Sequence, residues 1–344
     1  MKFIGVDLHK QSISLCVMVV DGGKRKVVAR KRFSCWDTAG IRAFFEEQVS
    51  FQVVVEATAT YEWFLMLIED LADRCVLAHP KKLRVIAEST HKSDKIDAYI
   101  LALFLALDMI PEAYRPSRRI RQYRVLVRHR RWLQSRITAV KCKLRYRAAE
   151  YNADVAGLFS AKGQGHLASI AMGMADRFST EALLDQWKLC VKQLAEVDAQ
   201  LREFARTASA AEQEARAVLD TMPEVGPVTI DVVLSELGDW RRFRSAKRVV
   251  SYAGLDPGSR ESAGKARQLT ITKEGSRLLR WAMIETAWRL VNKFRRWQTI
   301  FEKLEKNTGS PKRAIVGVAR RVLCVMFAML RDGQACKVEF EPGV

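Results

Sequence analysis

The stretch Lys2-Phe3-Ile4-Gly5-Val6-Asp7 decides the fold of the first part of the chain, because it is a short apolar strand that ends on a carboxylate. Ser12–Val20 and Lys24–Phe33 follow as two more strand patterns, and the turn sequence Asp21-Gly22-Gly23 separates them. The three patterns predict consecutive strands, the last two of them joined as a hairpin.

Further along, a second buried-strand pattern, Gln52-Val53-Val54-Val55, also runs into an acidic residue, Glu56. The remaining patterns predict helices and one more strand: helices over 41–49, 61–74 and 93–107, and a strand over 75–78. Three strands in sequence, a helix, a strand, a helix and a strand are the order expected of an α/β RNase H-like fold, in a domain that we place at 1–114.

Positive charge dominates the composition of the 344-residue chain, which has 58 Lys and Arg, 39 Asp and Glu, and a net charge of +19. Such an excess favours a polyanionic partner, foremost nucleic acid. Seven scattered cysteines without a C-x-x-C pair argue against a zinc module and for reduced thiols. The longest apolar run, 98–107, is ten residues, short of the roughly 20 that a membrane span needs. We therefore expect a cytoplasmic, nucleoid-associated protein with no membrane partner.

A basic helix follows Pro111 and Pro116. Residues 115–147 contain 13 Lys or Arg and no acidic residue, with apolar residues at helical spacing. A solvated helix face usually mixes both signs, so this one-sided charge predicts contact with phosphates. The residues that we predict to bind nucleic acid here are Arg118, Arg119, Arg121, Arg124, Arg128 and Arg131. The helical pattern at 181–207 predicts either a coiled hairpin with this helix or an ordinary bundle helix, within a basic coiled-coil region at 115–210.

Four acidic residues stand out in the first domain: Asp7, Glu56, Asp94 and Asp97. Asp94 and Asp97 are three residues apart, which places both carboxylates on one helical face. A carboxylate at the end of a buried strand is costly unless something compensates it, and a divalent ion does so. Any one of these acids alone is more often a plain strand-end or capping residue. Together, in this order, they predict a site for Mg²⁺, with Mn²⁺ as a substitute.

The last region, 211–344, is predicted to be mainly helical. Residues 221–229 open a helix at a Gly-containing turn that is either helix-hairpin-helix-like, and so able to meet phosphate, or a simple tight turn. A polar, basic loop follows at 258–267, where Lys265 and Arg267 are further candidates for nucleic-acid binding. A serine there can be presented to a phosphodiester, but it needs activation, and nothing intrinsic separates Ser262 from Ser259.

These motifs resemble the insertion sequence 110 family of transposases, the RNA-guided "bridge" recombinases. The similar segments cover nearly the whole chain: 5–10, 56–61, 79–80, 92–98, 223–239, 252–257 and 273–280. Ala59 stands where a Gly is usual, and His79-Pro80 where Asn-Pro is common. Ala263 departs from the usual Gly in the motif Ser262-Ala263-Gly264-Lys265.

The resemblance implies a RuvC-like domain whose DEDD tetrad, here Asp7, Glu56, Asp94 and Asp97, binds Mg²⁺. It also implies a serine in the C-terminal transposase domain that forms a transient bond to DNA, and the motif assigns that role to Ser262. The implied partners are donor and target DNA, a structured non-coding guide RNA that pairs with both, and further copies of the chain, as a dimer to tetramer. The alternatives are a RuvC-like nuclease or junction resolvase without a serine step, and a non-catalytic binding protein, against which the intact tetrad argues.

Overall fold

The computed structural model describes residues 1–58, 60–86, 94–262, 265–338 and 340–341, and within them the backbone alone at 84–86, 94–96, 259–262 and 265–269. The chain forms two compact units, Met1–Arg115 and Pro116–Val344. The first unit is α/β with a mixed sheet, and the second is mostly helical. Across the described ranges, no helix combines the length and apolar character that crossing a membrane requires.

The first unit is built on a five-stranded sheet of order β3-β2-β1-β4-β5. Its strands are β1 Lys2–Leu8, β2 Ser12–Asp21, β3 Lys24–Ser34, β4 Phe51–Glu56 and β5 Arg74–Ala78. The pairs β1–β2 and β2–β3 are antiparallel, whereas β1–β4 and β4–β5 are parallel. Asp21 pairs with Lys24 across a two-residue turn, where Gly22 and Gly23 have φ of 53° and 78°. Two successive positive φ angles suit a tight hairpin turn, which is why glycine occupies both places.

Helices cover both faces of this sheet. They are α1 Thr38–Glu46, α2 Tyr61–Ile68, α3 Pro80–Ile86 and α4 Asp94–Ala106. Buried residues of α1 and α2 pack on the face that carries Val6 and Val55. The apolar residues of α4 pack on the opposite face, beside Val54 and Val76 on one side and Cys16 and Met18 on the other. The alternation of buried side chains along each strand therefore supplies two apolar faces.

Local differences from the sequence prediction include the end of one helix and the existence of another. The predicted helix at 61–74 ends at Ile68, and α3 was not predicted at all. Pro80 occupies the first turn of α3, where a missing N–H costs nothing, so the His79-Pro80 pair is a helix start as well as a break. A proline is ambiguous in sequence because it ends one element and can begin the next.

The second unit begins with a long helical hairpin. Helix α5 spans Arg118–Glu150 and α7 spans Met174–Arg206, with the short α6 Ala161–Ser169 between them. The two long helices run antiparallel, since Arg130 in the first half of α5 pairs with Asp198 in the second half of α7, while Arg147 at the end of α5 pairs with Asp176 at the start of α7. Of the two alternatives for the 181–207 pattern, the structure shows the hairpin.

The rest of this unit packs around helices that are buried on most sides. Its elements are α8 Ala210–Asp220, α9 Pro227–Leu237, α10 Ala246–Tyr252, β6 Pro257–Ser262, β7 Lys265–Ile271, α11 Arg277–Lys293, α12 Arg295–Thr308 and α13 Pro311–Asp332. The buried helix α9 starts at Pro227, within the segment 221–229 that the sequence predicts to open a helix, and Gly238 caps its end. The predicted polar loop at 258–267 is instead mostly an antiparallel hairpin of β6 and β7. Its Arg, Glu and Lys residues hide a strand pattern, because a two-stranded ribbon does not need an apolar face.

Candidate functional site

Asp7 and Glu56 are neighbours at the carboxyl end of the sheet. The parallel register of β1 and β4 reaches Val6↔Val55, so the next residue on each strand is acidic. Val6 and Val55 are buried against α1 and α2, and successive side chains alternate. Asp7 and Glu56 therefore extend from the α4 side of the sheet. The side chain of Asp7 is only 13% exposed.

Helix α4 crosses this face in direct contact with β1. A Cβ atom at Gly5 would lie 2.1 Å from the carbonyl oxygen of Ala98 and 2.4 Å from the amide nitrogen of Ala102. Only glycine permits this close approach. Asp97 precedes Ala98, and Gly5 precedes Asp7 by two residues on the same strand face. The partly buried Asp97 lies one residue before this contact, in the helix that packs on the face carrying Asp7 and Glu56.

A metal ion at this position would have carboxylate oxygens as donors, the type that Mg²⁺ prefers. The donor chemistry and the strand register fit such an ion. Asp94 opens α4, but its side chain is outside the described residues, as are 87–93. Among the side chains that the structure does describe, no three from His, Cys, Asp and Glu form a metal-binding group. The structure therefore makes Asp7 and Glu56 neighbours, has Asp97 in the helix that packs on their face, and shows no complete ligand set among the described residues.

Two histidines to which the sequence assigned no firm role lie beside these acids. The Nε2 atom of His9 is 3.0 Å from Oδ2 of Asp7. His79 directly follows Ala78, which pairs with Glu56, and its Nδ1 is buried without a hydrogen-bond partner in the described part of the chain. The signal for both was their position just beyond a strand end, but a histidine in a loop is too common for that signal to suffice.

Ser262 ends β6, and its backbone pairs in register with Lys265 at the start of β7. The side chains of Ser262, Lys265 and Arg267 are outside the described residues, so the structure gives the position of each in the hairpin and no contacts. The base of the hairpin is fixed by Asp256, whose Oδ1 accepts a hydrogen bond from Thr272 Oγ1 at 2.7 Å. Its Oδ2 accepts one from Ser251 Oγ at 3.2 Å.

The arginines of the basic helix α5 contact the protein extensively. Arg119 donates to Glu212, with Nε 2.6 Å from Oε2, and its guanidinium lies 4.0 Å from the centre of the Phe204 ring. Arg124 donates to the carbonyl oxygens of Ser235 and Glu236. Each of these contacts fixes α5 to a neighbouring element of the same unit.

The other predicted arginines of α5 differ in whether another group of the protein holds them. Arg128 pairs with the carboxylate of Glu236, which is 2% exposed, and this hydrogen bond raises the pKa of Arg128. Arg131 stacks over Trp281 at 4.0 Å, and Arg121 donates to the carbonyl oxygen of Pro116. Arg118 is exposed at the start of the helix. Sequence density of charge therefore overstates how much of it faces solvent.

A buried polar cluster anchors α5 to α8 and α9. The Tyr123 hydroxyl donates to Oδ1 of Asp231 at 2.6 Å, and Arg216 pairs with the same oxygen at 2.7 Å and also contacts Tyr123. Burial, together with the adjacent Asp231 charge, raises the pKa of Tyr123 above its usual value. Tyr123 therefore stays protonated and continues to donate, which satisfies the buried carboxylate.

Comparison with known proteins adds the family. Residues 4–151 match the DEDD transposase model of IS110 elements, described as "Transposase", and residues 216–302 match "Transposase IS116/IS110/IS902 family". The pilin gene-inverting protein of Moraxella bovis is 23% identical over 347 residues, covering 96% of both chains. That of Moraxella lacunata is 30% identical over 34% of this chain and 37% of its own.

An insertion element IS110 protein of 43.6 kDa from Streptomyces coelicolor is 32% identical over 127 residues, 37% of this chain and 31% of the relative. The chain thus aligns with about a third of two of these relatives and with nearly all of the third. Two family models that match separate parts of the sequence agree with the name of the Streptomyces relative. The chain belongs to the IS110/IS116/IS902 family of transposases.

Proposed function

We propose that this chain is a DNA recombinase that cuts and rejoins strands through a Ser262–DNA intermediate, with Mg²⁺ held by Asp7, Glu56, Asp94 and Asp97. The observation that carries the proposal is the parallel register Val6↔Val55, which makes Asp7 and Glu56 neighbours on the face that α4 crosses at Gly5. Membership in a transposase family supplies DNA as the substrate.

The first unit supports assignment to an RNase H-like, RuvC-like fold. Three antiparallel strands continue into two parallel ones, in the order β3-β2-β1-β4-β5, with helices on both faces. The carboxyl ends of β1 and β4 are then the expected position for metal-binding acids in such a domain. We retain 1–114, 115–210 and 211–344 as the functional division into catalytic, coiled-coil and C-terminal transposase domains.

The DEDD transposase family implies dependence on a divalent metal. Asp7, Glu56, Asp94 and Asp97 would hold the ion, which would polarise a phosphodiester oxygen when bound; Mn²⁺ is an expected substitute. His9, hydrogen-bonded to Asp7, orients that carboxylate from the exposed side.

Ser262 is the nucleophile in this proposal, and its hydroxyl replaces one strand end on phosphorus to give a serine–phosphate ester. When the strands are rejoined, the exchange runs in reverse and regenerates the serine, so that no phosphodiester bond is hydrolysed. Lys265 is the cross-strand neighbour of Ser262, and its positive charge favours a phosphate at this position.

The partners follow from the family and the charge. We propose donor and target DNA, a structured non-coding guide RNA, and a homo-oligomer from dimer to tetramer, acting in the nucleoid. The relatives named for pilin gene inversion suggest that this chain also moves or inverts a DNA segment. Arg118 and Arg121 of α5 and Lys265 and Arg267 of the hairpin are the nucleic-acid contacts that we favour.

A metal-dependent nuclease without a covalent step is the second candidate. The acidic face of the first unit would serve such an enzyme equally well, with water in place of Ser262. Only the fate of the DNA end separates the two, because hydrolysis leaves a free phosphate whereas the recombinase leaves a protein adduct.

A covalent-trapping gel decides between them. Purified protein, with or without RNase treatment, is mixed with labelled element DNA and Mg²⁺, denatured and resolved. We expect an RNA-dependent adduct that Ser262→Ala abolishes and Ser259→Ala retains. Free cleaved ends without an adduct would establish the nuclease. An adduct lost only in Ser259→Ala would assign the role of nucleophile to Ser259.

The metal role has its own matched pair of variants. Asp7→Asn is expected to abolish cleavage while DNA binding stays within about twofold of the unsubstituted protein, because the substitution removes an ion ligand and no phosphate contact. Asp21→Asn, an exposed carboxylate at the other end of the sheet, is the control and keeps full cleavage. An equal loss of binding in Asp7→Asn would contradict a metal-binding role.

A further inference from the structure

A cavity of about 910 Å³ opens in the second unit among α10, α12 and α13, at the base of β6. Its volume is within the range of ligand sites, roughly 300–1,000 Å³. Lys247 and Arg248 line it from α10, and Arg320 and Arg321 line it from α13. Apolar wall is supplied by residues that include Val250 and Leu304. The cavity therefore combines a cationic border with an apolar wall.

The four cations are available to a ligand. In the described part of the chain, none of Lys247, Arg248, Arg320 and Arg321 makes an ion pair or a side-chain hydrogen bond, and Lys247, Arg248 and Arg321 are exposed. Asp256 is the acidic residue in the lining, and both of its carboxylate oxygens already accept hydrogen bonds from Ser251 and Thr272. The charges of the cavity border are thus left largely uncompensated.

This arrangement suits a chain of phosphates. The cations come in two sequence-adjacent pairs on two different helices, so that they offer several positive groups to a ligand with more than one phosphate. Guanidinium groups bind phosphate through paired N–H donors, and each neutralised phosphate releases counterions. The apolar wall suits the sugars and base faces of an unpaired strand, because a duplex keeps its base faces stacked inside.

The cavity also lies on the path to the candidate nucleophile. Pro257 belongs to its lining and begins β6, the strand that ends at Ser262. Five residue steps along an extended strand cover about 17 Å. A nucleic-acid strand seated in the cavity could therefore extend along the hairpin toward Ser262.

We propose that this cavity binds a single-stranded segment of nucleic acid through its phosphodiester backbone. Lys247, Arg248, Arg320 and Arg321 hold successive phosphates, and the apolar wall contacts the sugars. The segment's relation to the cut strand rests on the proposed function, whereas the binding itself does not.

The test measures binding of labelled oligo-dT, oligo-rU and a duplex to the full chain at several salt concentrations. Arg248→Gln/Arg321→Gln is compared with Arg295→Gln/Arg296→Gln, two exposed arginines of α12 outside the cavity. We expect the cavity variant to bind at least one single strand about tenfold more weakly, with a salt slope reduced by about 1.4, the value for two lost contacts. The α12 variant shifts both quantities by less than half as much.

The comparison of probes identifies the strand. A loss confined to oligo-dT assigns the cavity to DNA, a loss confined to oligo-rU assigns it to RNA, and equal losses assign it to the shared backbone. Equal affinity of the two double variants, or a loss seen only with the duplex, would overturn the proposal. Thermal unfolding of both variants verifies that each is folded.

Cys324 provides an independent measurement, because it lines the cavity whereas Cys336 does not. Burial raises the pKa of both thiols, so alkylation is followed by mass spectrometry at mildly alkaline pH. We expect oligonucleotide to slow alkylation at Cys324 at least threefold relative to Cys336. Equal rates with and without bound oligonucleotide would contradict the assignment.

Failure of this proposal and failure of the proposed function give different results. Ser262→Ala is expected to abolish the covalent adduct while it leaves oligonucleotide affinity and Cys324 protection unchanged. If the chain forms no adduct but the cavity variant still binds more weakly, the cavity site stands and the serine mechanism fails. If the chain forms the adduct but the cavity variant binds as tightly as the unsubstituted protein, the serine mechanism stands and the cavity site fails.

Discussion

The basic helix α5 and the cationic border of the cavity carry the same kind of charge, yet they use it differently. On α5, Arg119, Arg124 and Arg128 are held by acidic side chains or carbonyl oxygens from other helices. At the cavity, Arg248 and Arg321 are exposed and have no such partner in the described residues. The comparison teaches that the density of charge along a sequence and its availability to a ligand are separate quantities. Much of the basic stretch fixes the helical hairpin to the rest of its unit.

The largest effect is expected where α5 is anchored through buried charge. Asp231→Ala removes the nearest acidic partner of Arg216, which keeps Glu212 at 3.8 Å, and leaves Tyr123 without its acceptor. Breaking a buried pair costs about 3–5 kcal/mol. Urea unfolding measures the loss. Asp220→Ala, an exposed acid at the end of α8, is the control and is expected to change stability by less than about 0.5 kcal/mol. Similar stabilities of the two variants would show that the anchor is unimportant.

Adjacent arginines at the start of α5 give the next test. Arg119→Gln loses a charged hydrogen bond to Glu212, whose side chain is 11% exposed, and is expected to cost about 1.5–3 kcal/mol. Arg118→Gln, at the neighbouring exposed position, should cost less than about 0.5 kcal/mol. In binding assays with the folded proteins the order should reverse, with Arg118→Gln the weaker binder. If Arg119→Gln binds nucleic acid more weakly than Arg118→Gln, Arg119 belongs to the nucleic-acid interface.

The same substitution made once in each region sharpens the comparison. Arg128→Gln removes the partner of the buried Glu236, and since Arg128 is itself 58% exposed, the expected cost in stability is only about 1 kcal/mol. Arg321→Gln at the cavity should leave stability unchanged and lower single-strand affinity about threefold, by loss of a phosphate contact. Thermal unfolding and fluorescence anisotropy on both proteins measure the two quantities. The same changes in stability and in single-strand affinity for both variants would show that α5 and the cavity border use these arginines in the same way.

The smallest effect is expected at Arg131, which stacks on Trp281. Arg131→Gln removes a partly exposed cation–π contact, worth about 0.5–1 kcal/mol. Lys143→Gln, at an exposed position further along α5, serves as the control in unfolding experiments. If Arg131→Gln keeps full stability but binds nucleic acid more weakly than the control, Arg131 belongs to the interface after all.

Particular elements show where prediction from sequence succeeded. The glycine pair 22–23 and the helix that opens within 221–229 were both predicted, because each depends on local backbone preferences. The hairpin of β6 and β7 was missed, since its charged residues lack the alternation that a packed sheet face requires. The cavity was missed altogether, because it is formed by α10, α12 and α13, whose lining residues range from Lys247 to Cys324 in the chain.

By itself, the sequence determined the family, the α/β and helical halves, and the acids and serine to test. Strand-end carboxylates and glycine turns can be recognised from a few neighbouring residues. Tertiary structure alone decided that Asp7 and Glu56 are neighbours, since this depends on the pairing register of strands more than 40 residues apart. It also decided why residue 5 is glycine, through the backbone of α4, and which arginines remain free of partners in the described chain. Contacts between distant segments assign each charge its partner, and no local pattern records them.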